Sequence, residues 1–164
     1  MHTTRSKRVL SSTATVTLAI VTLTAGPALA DGSSGHSVLR APLMGSMLAP
    51  ASPQIAGINP GGAPWVNGPS KVRVREDGRI TVTIRGLVLA SSNINPFGSV
   101  VATLVCDNMV TASTAPFGLT TGEGGGDGST SDKISVPRHC DNPAVLIQPA
   151  GRNIYIASAF GEDD

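Results

Sequence analysis

The chain has 164 residues, of which 14% are charged and 3% are aromatic. Residues 1–30 hold three of the twelve Lys and Arg residues and none of the eleven Asp and Glu residues, so the rest of the chain carries nine basic and eleven acidic side chains, a net charge of −2. This balance excludes a typical nucleic-acid-binding domain, which is strongly basic, and the length after residue 30 suits one domain rather than two.

The first thirty residues have the pattern of a secretory signal peptide. A basic start is followed by an apolar stretch over residues 9–25, by Pro27, and by Ala28 and Ala30 of an A-x-A cleavage motif. We expect cleavage before Asp31 and therefore a secreted, extracellular protein. No later segment approaches the ~18 continuous apolar residues that a membrane-spanning helix needs, so we expect no membrane span in the mature chain.

Residues 31–70 are rich in Gly, Pro and Ser, and six prolines follow Ala41. Prolines at this density disfavour a long helix and most sheet interiors. We expect residues 31–40 to be disordered. The apolar residues between Ala41 and Trp65 favour an extended segment that lies along the domain, with Trp65 as its anchor.

Beyond the proline-rich segment, apolar and polar residues alternate, which is the period of a half-buried β-strand. Two such runs, 71–75 and 79–84, flank a turn that contains Gly78. A two-residue loop would set apolar residues opposite threonines, whereas a three-residue loop ending at Gly78 pairs Val72 with Val82. We therefore predict a three-residue loop, a type I turn followed by a left-handed glycine in a G1 bulge.

Further strand-like runs recur at short intervals, with Gly, Pro, Asn and Asp between them. The predicted strands cover residues 87–90, 99–106, 109–114, 133–136, 144–148 and 154–159. The first of these is expected to continue the second hairpin strand past a bulge at Gly86, and Asp107-Asn108 is a second hairpin signal. This pattern predicts an all-β, immunoglobulin-like antiparallel β-sandwich of about seven strands over residues 71–160, with an acidic tail at 161–164; the alternative is a small β-barrel.

Cys106 and Cys140 are the only cysteines. In an exported protein, oxidising conditions favour a disulfide between them, and closing a loop of this length stabilises the fold by about 3–4 kcal/mol. A catalytic or metal-binding role is disfavoured, because the chain has no C-x-x-C motif and two lone cysteines cannot fill a zinc shell.

The Gly-rich run at residues 122–128 lacks the Lys-Ser or Lys-Thr pair of a phosphate-binding loop and the spacing of a dinucleotide fingerprint. Glu123, Asp127 and Asp132 offer oxygen ligands for a calcium ion, but the run does not match an EF-hand loop. We therefore interpret it as a mobile hairpin loop and expect no metal and no cofactor.

The sequence contains no pattern typical of an active site. No serine lies in a nucleophile elbow or a Ser-x-x-Lys motif. His139 and Cys140 are adjacent, so on an extended chain they point to opposite faces and cannot form a dyad. The acids gather in turns, and the chain has few aromatic residues to line a sugar-binding cleft for glycoside hydrolysis. We therefore expect a protein without catalytic residues, and a small hydrolase is the least favoured class.

The basic side of the predicted hairpin is the best candidate for a contact surface. Lys71, Arg73, Arg75 and Arg79 share its expected solvent face, with Arg75 directly opposite Arg79, where like charges repel. Such an arrangement is typical of a face that contacts an anion, for example a wall polymer or an acidic protein. The alternative is a solvated face whose charges keep a sheet edge from pairing with other chains.

Several segments resemble an uncharacterised family of small secreted proteins from high-GC Gram-positive bacteria. The matching segments are Asn59-Pro-Gly-Gly-Ala-Pro-Trp-Val66, Val72-Arg-Val-Arg-Glu-Asp-Gly-Arg79 and Gly86-Leu-Val88, together with Cys106 and Cys140. The family has no known activity, so the resemblance implies export and a shared fold rather than a reaction.

These observations together predict a secreted, non-enzymatic binding or structural module that acts outside the cell or at its surface. Its expected partner is a cell-envelope polymer or another secreted protein, and not a nucleic acid. The alternative is an inhibitor or accessory protein of a secreted enzyme, with residues 41–65 or 122–128 inserting into that enzyme.

Overall fold

The computed structural model of the protein describes residues 35–161, and these belong to one compact unit. The predicted signal peptide, the cleavage site at Ala28, Ala30 and Asp31, and residues 162–164 of the acidic tail lie outside the described residues. Within residues 35–161 all regular structure is β-strand. No helix in that range has the length and apolar character required to cross a membrane.

Sixteen strands follow one another along the described chain. In order they are β1 (Ser37–Pro42), β2 (Met44–Gly45), β3 (Asn59–Pro60), β4 (Trp65–Val66), β5 (Lys71–Arg75), β6 (Arg79–Ile84), β7 (Val88–Leu89), β8 (Ile94–Asn95), β9 (Ser99–Cys106), β10 (Met109–Ser113), β11 (Phe117–Gly118), β12 (Gly122–Glu123), β13 (Gly128–Lys133), β14 (Ala144–Pro149), β15 (Ile154–Tyr155) and β16 (Ala157–Phe160). Many of them have only two residues, which is why the total exceeds the seven or so strands that the sequence predicts.

Two sheets form the body of the sandwich. The first has four antiparallel strands in the order β1-β5-β6-β13, and the second follows the order β10-β9-β14-β16-β2, with β11 also paired to β9. Their facing sides share one core, in which Val74 and Ile80 of the first sheet and Leu104 and Ile147 of the second are fully buried. Within the described residues neither sheet closes on itself, so the sandwich is the observed architecture.

The β5–β6 hairpin has the predicted register. Val74 lies opposite Ile80 and Val72 opposite Val82, as the three-residue loop requires. Gly78 adopts a φ of 86°, and its N–H donates to the Arg75 carbonyl at 3.0 Å. A Cβ at Gly78 would overlap a backbone carbonyl oxygen, so glycine is needed here both for its conformation and for its size.

The β9–β10 hairpin also follows the sequence pattern. Cys106 pairs with Met109 across a two-residue turn, and both turn residues, Asp107 and Asn108, have positive φ. Two consecutive left-handed residues define a type I′ turn, for which Asn and Asp are favoured. The local prediction is confirmed.

A strand does lie within the predicted range 87–90, namely β7, but the expectation that it continues the second hairpin strand is wrong, because β6 ends at Ile84 and the chain then leaves the sheet. Gly86 has a φ of 56°, and the next residues pair elsewhere: Val88 lies opposite Val66 in the short β4–β7 ladder. The feature interpreted as a bulge is therefore a change of direction.

One other predicted strand is misplaced, and another is found where expected but in two pieces. The strand expected at 133–136 lies earlier, at Gly128–Lys133, where small polar residues alternate without any apolar marker. The strand expected at 154–159 is divided into β15, which pairs with β3, and β16, which pairs with β14.

The sandwich begins before the boundary expected at residue 71. Residues from Ser37 to Pro42 form the edge strand β1 beside β5, and Leu39, Ala41 and Leu43 are buried on its inner side. The disorder expected for residues 31–40 therefore does not extend to β1. The alternation of apolar residues outweighs the proline-rich composition here, and Pro42 falls at the end of an edge strand, where proline is tolerated.

Residues 46–62 cover the outer side of the second sheet. Ile55 and Ile58 pack there against Ala144, Leu146 and Tyr155 in a second, smaller core. The phenol of Tyr155 donates to the Pro53 carbonyl at 2.6 Å. This segment is thus docked on the sandwich, and Trp65, just beyond it, is buried as an anchor must be.

The disulfide between Cys106 and Cys140 is confirmed. It joins the end of β9 to the loop that precedes β14. An immunoglobulin domain places its disulfide between strands of the two facing sheets, so the position of this cross-link differs from that arrangement.

Candidate functional site

The outer side of the first sheet carries the four predicted cations. Strand alternation turns Val72 and Val74 of β5 into the core and leaves Lys71, Arg73 and Arg75 on the opposite side. Arg79 begins β6 on that same side. The β5–β6 pairing ends at Val74 and Ile80, so Arg75 and Arg79 are the residues that flank the three-residue turn.

The structure adds two cations that sequence reasoning missed. Arg40 of β1 is the direct cross-strand neighbour of Arg73, and Lys133 of β13 is the direct neighbour of Arg79. Arg40 belongs to the segment expected to be disordered, and Lys133 to a strand predicted in the wrong place. The only signal in the sequence is their spacing from buried residues, and it does not reveal which strand each will pair with.

We call these six side chains the basic face. Its members are Arg40, Lys71, Arg73, Arg75, Arg79 and Lys133. They account for two thirds of the nine basic residues that follow residue 30, although that part of the chain has a net charge of −2. The positive charge is therefore concentrated on one side of one sheet.

Among the described residues, no carboxylate lies within ion-pair distance of a cation of the basic face. Among the described residues the one ion pair joins His36 and Glu76, at 3.8 Å. Arg73 donates through Nε to the neutral Ser37 hydroxyl at 2.9 Å. Like charges lie on adjacent strands about 5 Å apart, where they repel and cost stability.

Two carboxylates near the turn are engaged by the backbone instead. Asp77 accepts from the Arg79 N–H at 2.9 Å. Asp132 accepts from the Ala115 N–H at 2.8 Å and from the Lys133 N–H at 2.7 Å. These hydrogen bonds, the one from Ala115 most, hold the pKa of Asp132 below its ordinary value of 3.8.

The basic face is concave. A depression of about 490 Å³ is lined by side chains and backbone of β1, β5 and β6. Its residues are Arg40, Ala41, Pro42, Lys71, Val72, Arg73, Arg75, Arg79, Thr81 and Thr83. None of these lining residues is acidic or aromatic. A smaller depression adjoins it near the turn, where Asp77 and Asp132 lie beside Arg79 and Lys133.

The Gly-rich run is packed against the sandwich and is not an open loop. Residues Gly122–Glu123 form β12, which pairs with β8, and Gly125 and Gly126 are buried. Leu87 donates its N–H to the Gly126 carbonyl at 3.1 Å. A Cβ at Gly126 would overlap the Leu87 backbone, so close approach of two chains explains this glycine. The interpretation as a mobile hairpin loop is wrong in this respect.

The carboxylates considered for calcium are not brought together. Asp127 accepts from the Gly86 N–H at 2.9 Å, and Asp132 is bound to the backbone at Ala115 and Lys133. Within residues 35–161 no group of three or more His, Cys, Asp and Glu side chains is arranged to hold a metal ion.

The two residues weighed for nucleophilic catalysis occupy ordinary structural positions. His139 is exposed in the loop before β14. Cys140 is half-buried, and its sulfur is bonded to that of Cys106. A disulfide sulfur has no thiolate to attack a substrate, so this pair does not form a nucleophilic centre.

The fold and the site define an all-β sandwich with one cation-rich sheet face. No protein-family model, curated protein or solved structure matches this chain.

Proposed function

We propose that the protein is a secreted, non-enzymatic binding module that contacts an anionic polymer of the cell envelope through the basic face. The observation that carries this proposal is the concentration of five cations of the basic face around one concave depression, none of them in an ion pair with a carboxylate of the described residues. An external anion would relieve the repulsion among them.

Edge protection does not account for this arrangement. Charges that keep a sheet from pairing with other chains belong on its edge strands, which here are β1 and β13. Lys71, Arg73, Arg75 and Arg79 lie instead on the two central strands, β5 and β6. Since their backbone groups are already paired on both sides, these four cations protect no edge.

Secretion is part of the same proposal. The disulfide is compatible with an extracellular location, where such bonds form and persist. The predicted signal peptide at residues 1–30 supports it from the sequence side. An intact-mass measurement on protein harvested from culture medium tests this part, and we expect a chain that begins at Asp31.

The binding proposal is tested by co-sedimentation of the purified protein with envelope from the producing organism. The test variant replaces Arg73, Arg75 and Arg79 with Gln. The control variant replaces Arg85, Arg138 and Arg152 with Gln; these are the three basic residues after residue 30 that lie outside the basic face, so both variants have the same net charge. Binding that depends on overall charge would weaken equally in the two.

We expect binding that weakens with rising salt, at least tenfold weaker binding by the test variant, and little change in the control variant. Binding of the cations to a polyanion releases counterions from the polymer, so the affinity falls steeply as the salt concentration rises. Equal binding by wild type and test variant would show that the basic face is not the contact surface.

One observation favours a second candidate, an inhibitor or accessory protein of a secreted enzyme. Met47 and Leu48 expose large apolar side chains in a loop fixed by the bond from the Met47 N–H to the Ser52 hydroxyl, at 2.7 Å. A small fixed apolar loop is suited to insertion into a cleft. The Gly-rich run is less suited to that role, because Gly125 and Gly126 are buried and only Glu123 and Gly124 of the run are exposed. Stoichiometric inhibition of a secreted protease or glycosidase, lost on Leu48→Asp, would support this candidate.

A further inference from the structure

We infer that the polymer bound by the basic face is a linear phosphodiester of a polyol, one whose repeating unit carries free hydroxyl groups. This inference rests on the proposed function and narrows it to one ligand chemistry. It depends on the spacing of the cations, on their pairing across strands, and on the polar side chains beside them.

The cations of β5 form a regular column. Lys71, Arg73 and Arg75 occupy alternate positions of one strand, so they recur about every 6.7 Å. Two phosphorus atoms joined through a three-carbon polyol are separated by six covalent bonds. That is about 7 Å when extended, since three bonds of an extended peptide span about 3.5 Å. One phosphate can therefore face each cation of the column.

At two positions of the column, a neighbouring strand provides a second cation. Arg40 lies beside Arg73, and Arg79 lies beside Arg75. Two arginines on neighbouring strands, whose backbones are about 5 Å apart, can direct their guanidinium groups at one phosphate, and arginine matches phosphate oxygens with paired N–H donors. The like-charge pairs that are unfavourable in the free protein thus become phosphate clamps in the complex.

Hydroxyl side chains continue the same rows toward β13. Thr81 lies opposite Ser131, and Thr83 lies opposite Ser129. Each hydroxyl both donates and accepts a hydrogen bond, which suits the hydroxyl groups of a polyol. A polymer of phosphate alone would leave this half of the sheet without a partner.

Single-stranded nucleic acid has phosphates at a similar interval but needs aromatic platforms on which its bases stack. The concave face has no aromatic lining residue, so it offers no such platform. The unstacked bases would remain in solvent, and the cations would contact only the sugar-phosphate backbone.

The test measures binding of purified protein to four probes of matched charge: poly(glycerol phosphate), inorganic polyphosphate, poly(dT) and poly-L-glutamate. Monomeric glycerol 1-phosphate is the fifth probe. We expect poly(glycerol phosphate) to bind at least tenfold more tightly than poly(dT) and poly-L-glutamate, and far more tightly than the monomer. Its affinity should fall about 20- to 50-fold between 50 and 200 mM salt if three or four phosphates are neutralised.

A double variant, Thr81→Val with Ser131→Val, separates the hydroxyl rows from the cations. It should weaken poly(glycerol phosphate) binding about tenfold and leave polyphosphate binding unchanged. The control is Thr111→Val, at an exposed position of β10 in the other sheet. If the double variant binds both polymers as wild type does, the hydroxyl rows are not recognised and the inference fails.

Equal affinity for all four polyanions would also overturn the inference, while salt-dependent envelope binding through Arg73, Arg75 and Arg79 would still uphold the proposed function. Binding to envelope that the three Gln substitutions do not weaken would overturn both. The two failures are therefore distinguishable.

Discussion

The outer sides of the two sheets differ: one is covered by another part of the chain, and the other is exposed. The outer side of the second sheet is covered by residues 46–62, so β14 is buried on both faces and reads as an unbroken run of six buried residues. The outer side of the first sheet is bare and cationic, and β5 alternates between core and surface. The comparison shows that the chain itself covers one outer side and leaves the other exposed, and the exposed side is the one that we propose as the contact surface.

The largest expected effect on stability comes from substituting an outward-facing residue of each sheet and comparing the two losses. Leu146 points into the second core, whereas Thr81 lies on the bare side of the other sheet. Leu146→Ala should lower the free energy of unfolding by about 3 kcal/mol, through lost burial and the cavity left behind. Thr81→Val should change it by less than about 0.5 kcal/mol. Urea denaturation of both variants gives the two values, and equal losses would show that the outer sides are alike.

A smaller effect on stability is expected from the hydrogen bond that holds residues 46–62 against the second sheet. Tyr155→Phe removes the bond to the Pro53 carbonyl and should cost about 1 kcal/mol. Burial raises the pKa of the Tyr155 phenol above its ordinary value of 10.0, and the Ser52 hydroxyl offsets part of that rise. Because the folded state favours the neutral phenol, its contribution is full below pH 10 and is lost as the pH rises further.

Wild type and Tyr155→Phe should therefore become more alike in stability above pH 10. Thermal melts of both proteins at a series of pH values measure this convergence. A stability difference that stays constant from pH 8 to pH 11 would contradict the assignment of the hydrogen bond.

The edge strand β13 has its own pH dependence, at the acidic end of the scale. Backbone hydrogen bonds lower the pKa of Asp132, so its ionised form stabilises the folded state above pH 3.8 and that contribution is lost as the pH falls below it. Asp132→Asn should abolish this part of the acid sensitivity. Acid unfolding of wild type and Asp132→Asn, followed by circular dichroism, measures this difference. Two curves of the same shape would show that ionised Asp132 does not stabilise the folded state.

The smallest expected effect is a gain. Arg79 has like-charged neighbours in Arg75 and Lys133, so Arg79→Thr should raise the free energy of unfolding by about 0.5 kcal/mol at low salt. The gain should shrink in high salt, where the repulsion is screened. Arg138→Thr, away from the basic face, is the matched control. Destabilisation by Arg79→Thr at low salt would mean that these cations are not in mutual repulsion.

The sequence predicts what is local in this fold. The register of the β5–β6 hairpin follows from matching Val72 with Val82, and the turn at Asp107 and Asn108 follows from their tolerance of positive φ. Both depend on residues close together in the chain. The four cations of the hairpin were predictable for the same reason.

What the sequence does not predict is which distant segments meet. The strand β13 contains only small polar and charged residues, so no hydrophobic period marks it, and Lys133 stays unassigned to the basic face. Arg40 is hidden by the proline-rich composition around it. Ile55 and Ile58 pack against β14, which lies almost ninety residues further along the chain, and no local sequence pattern predicts this contact.

Chemical-shift mapping by NMR tests the central claim most directly. Solubilised anionic envelope polymer is titrated into isotopically labelled protein, and the perturbed backbone amides are located on the two outer sides of the sandwich. The account predicts that the largest shifts fall on β1, β5 and β6, around Arg40, Arg73 and Arg79. Shifts confined to residues 46–62, or none at a polymer concentration that sediments the protein, would contradict it.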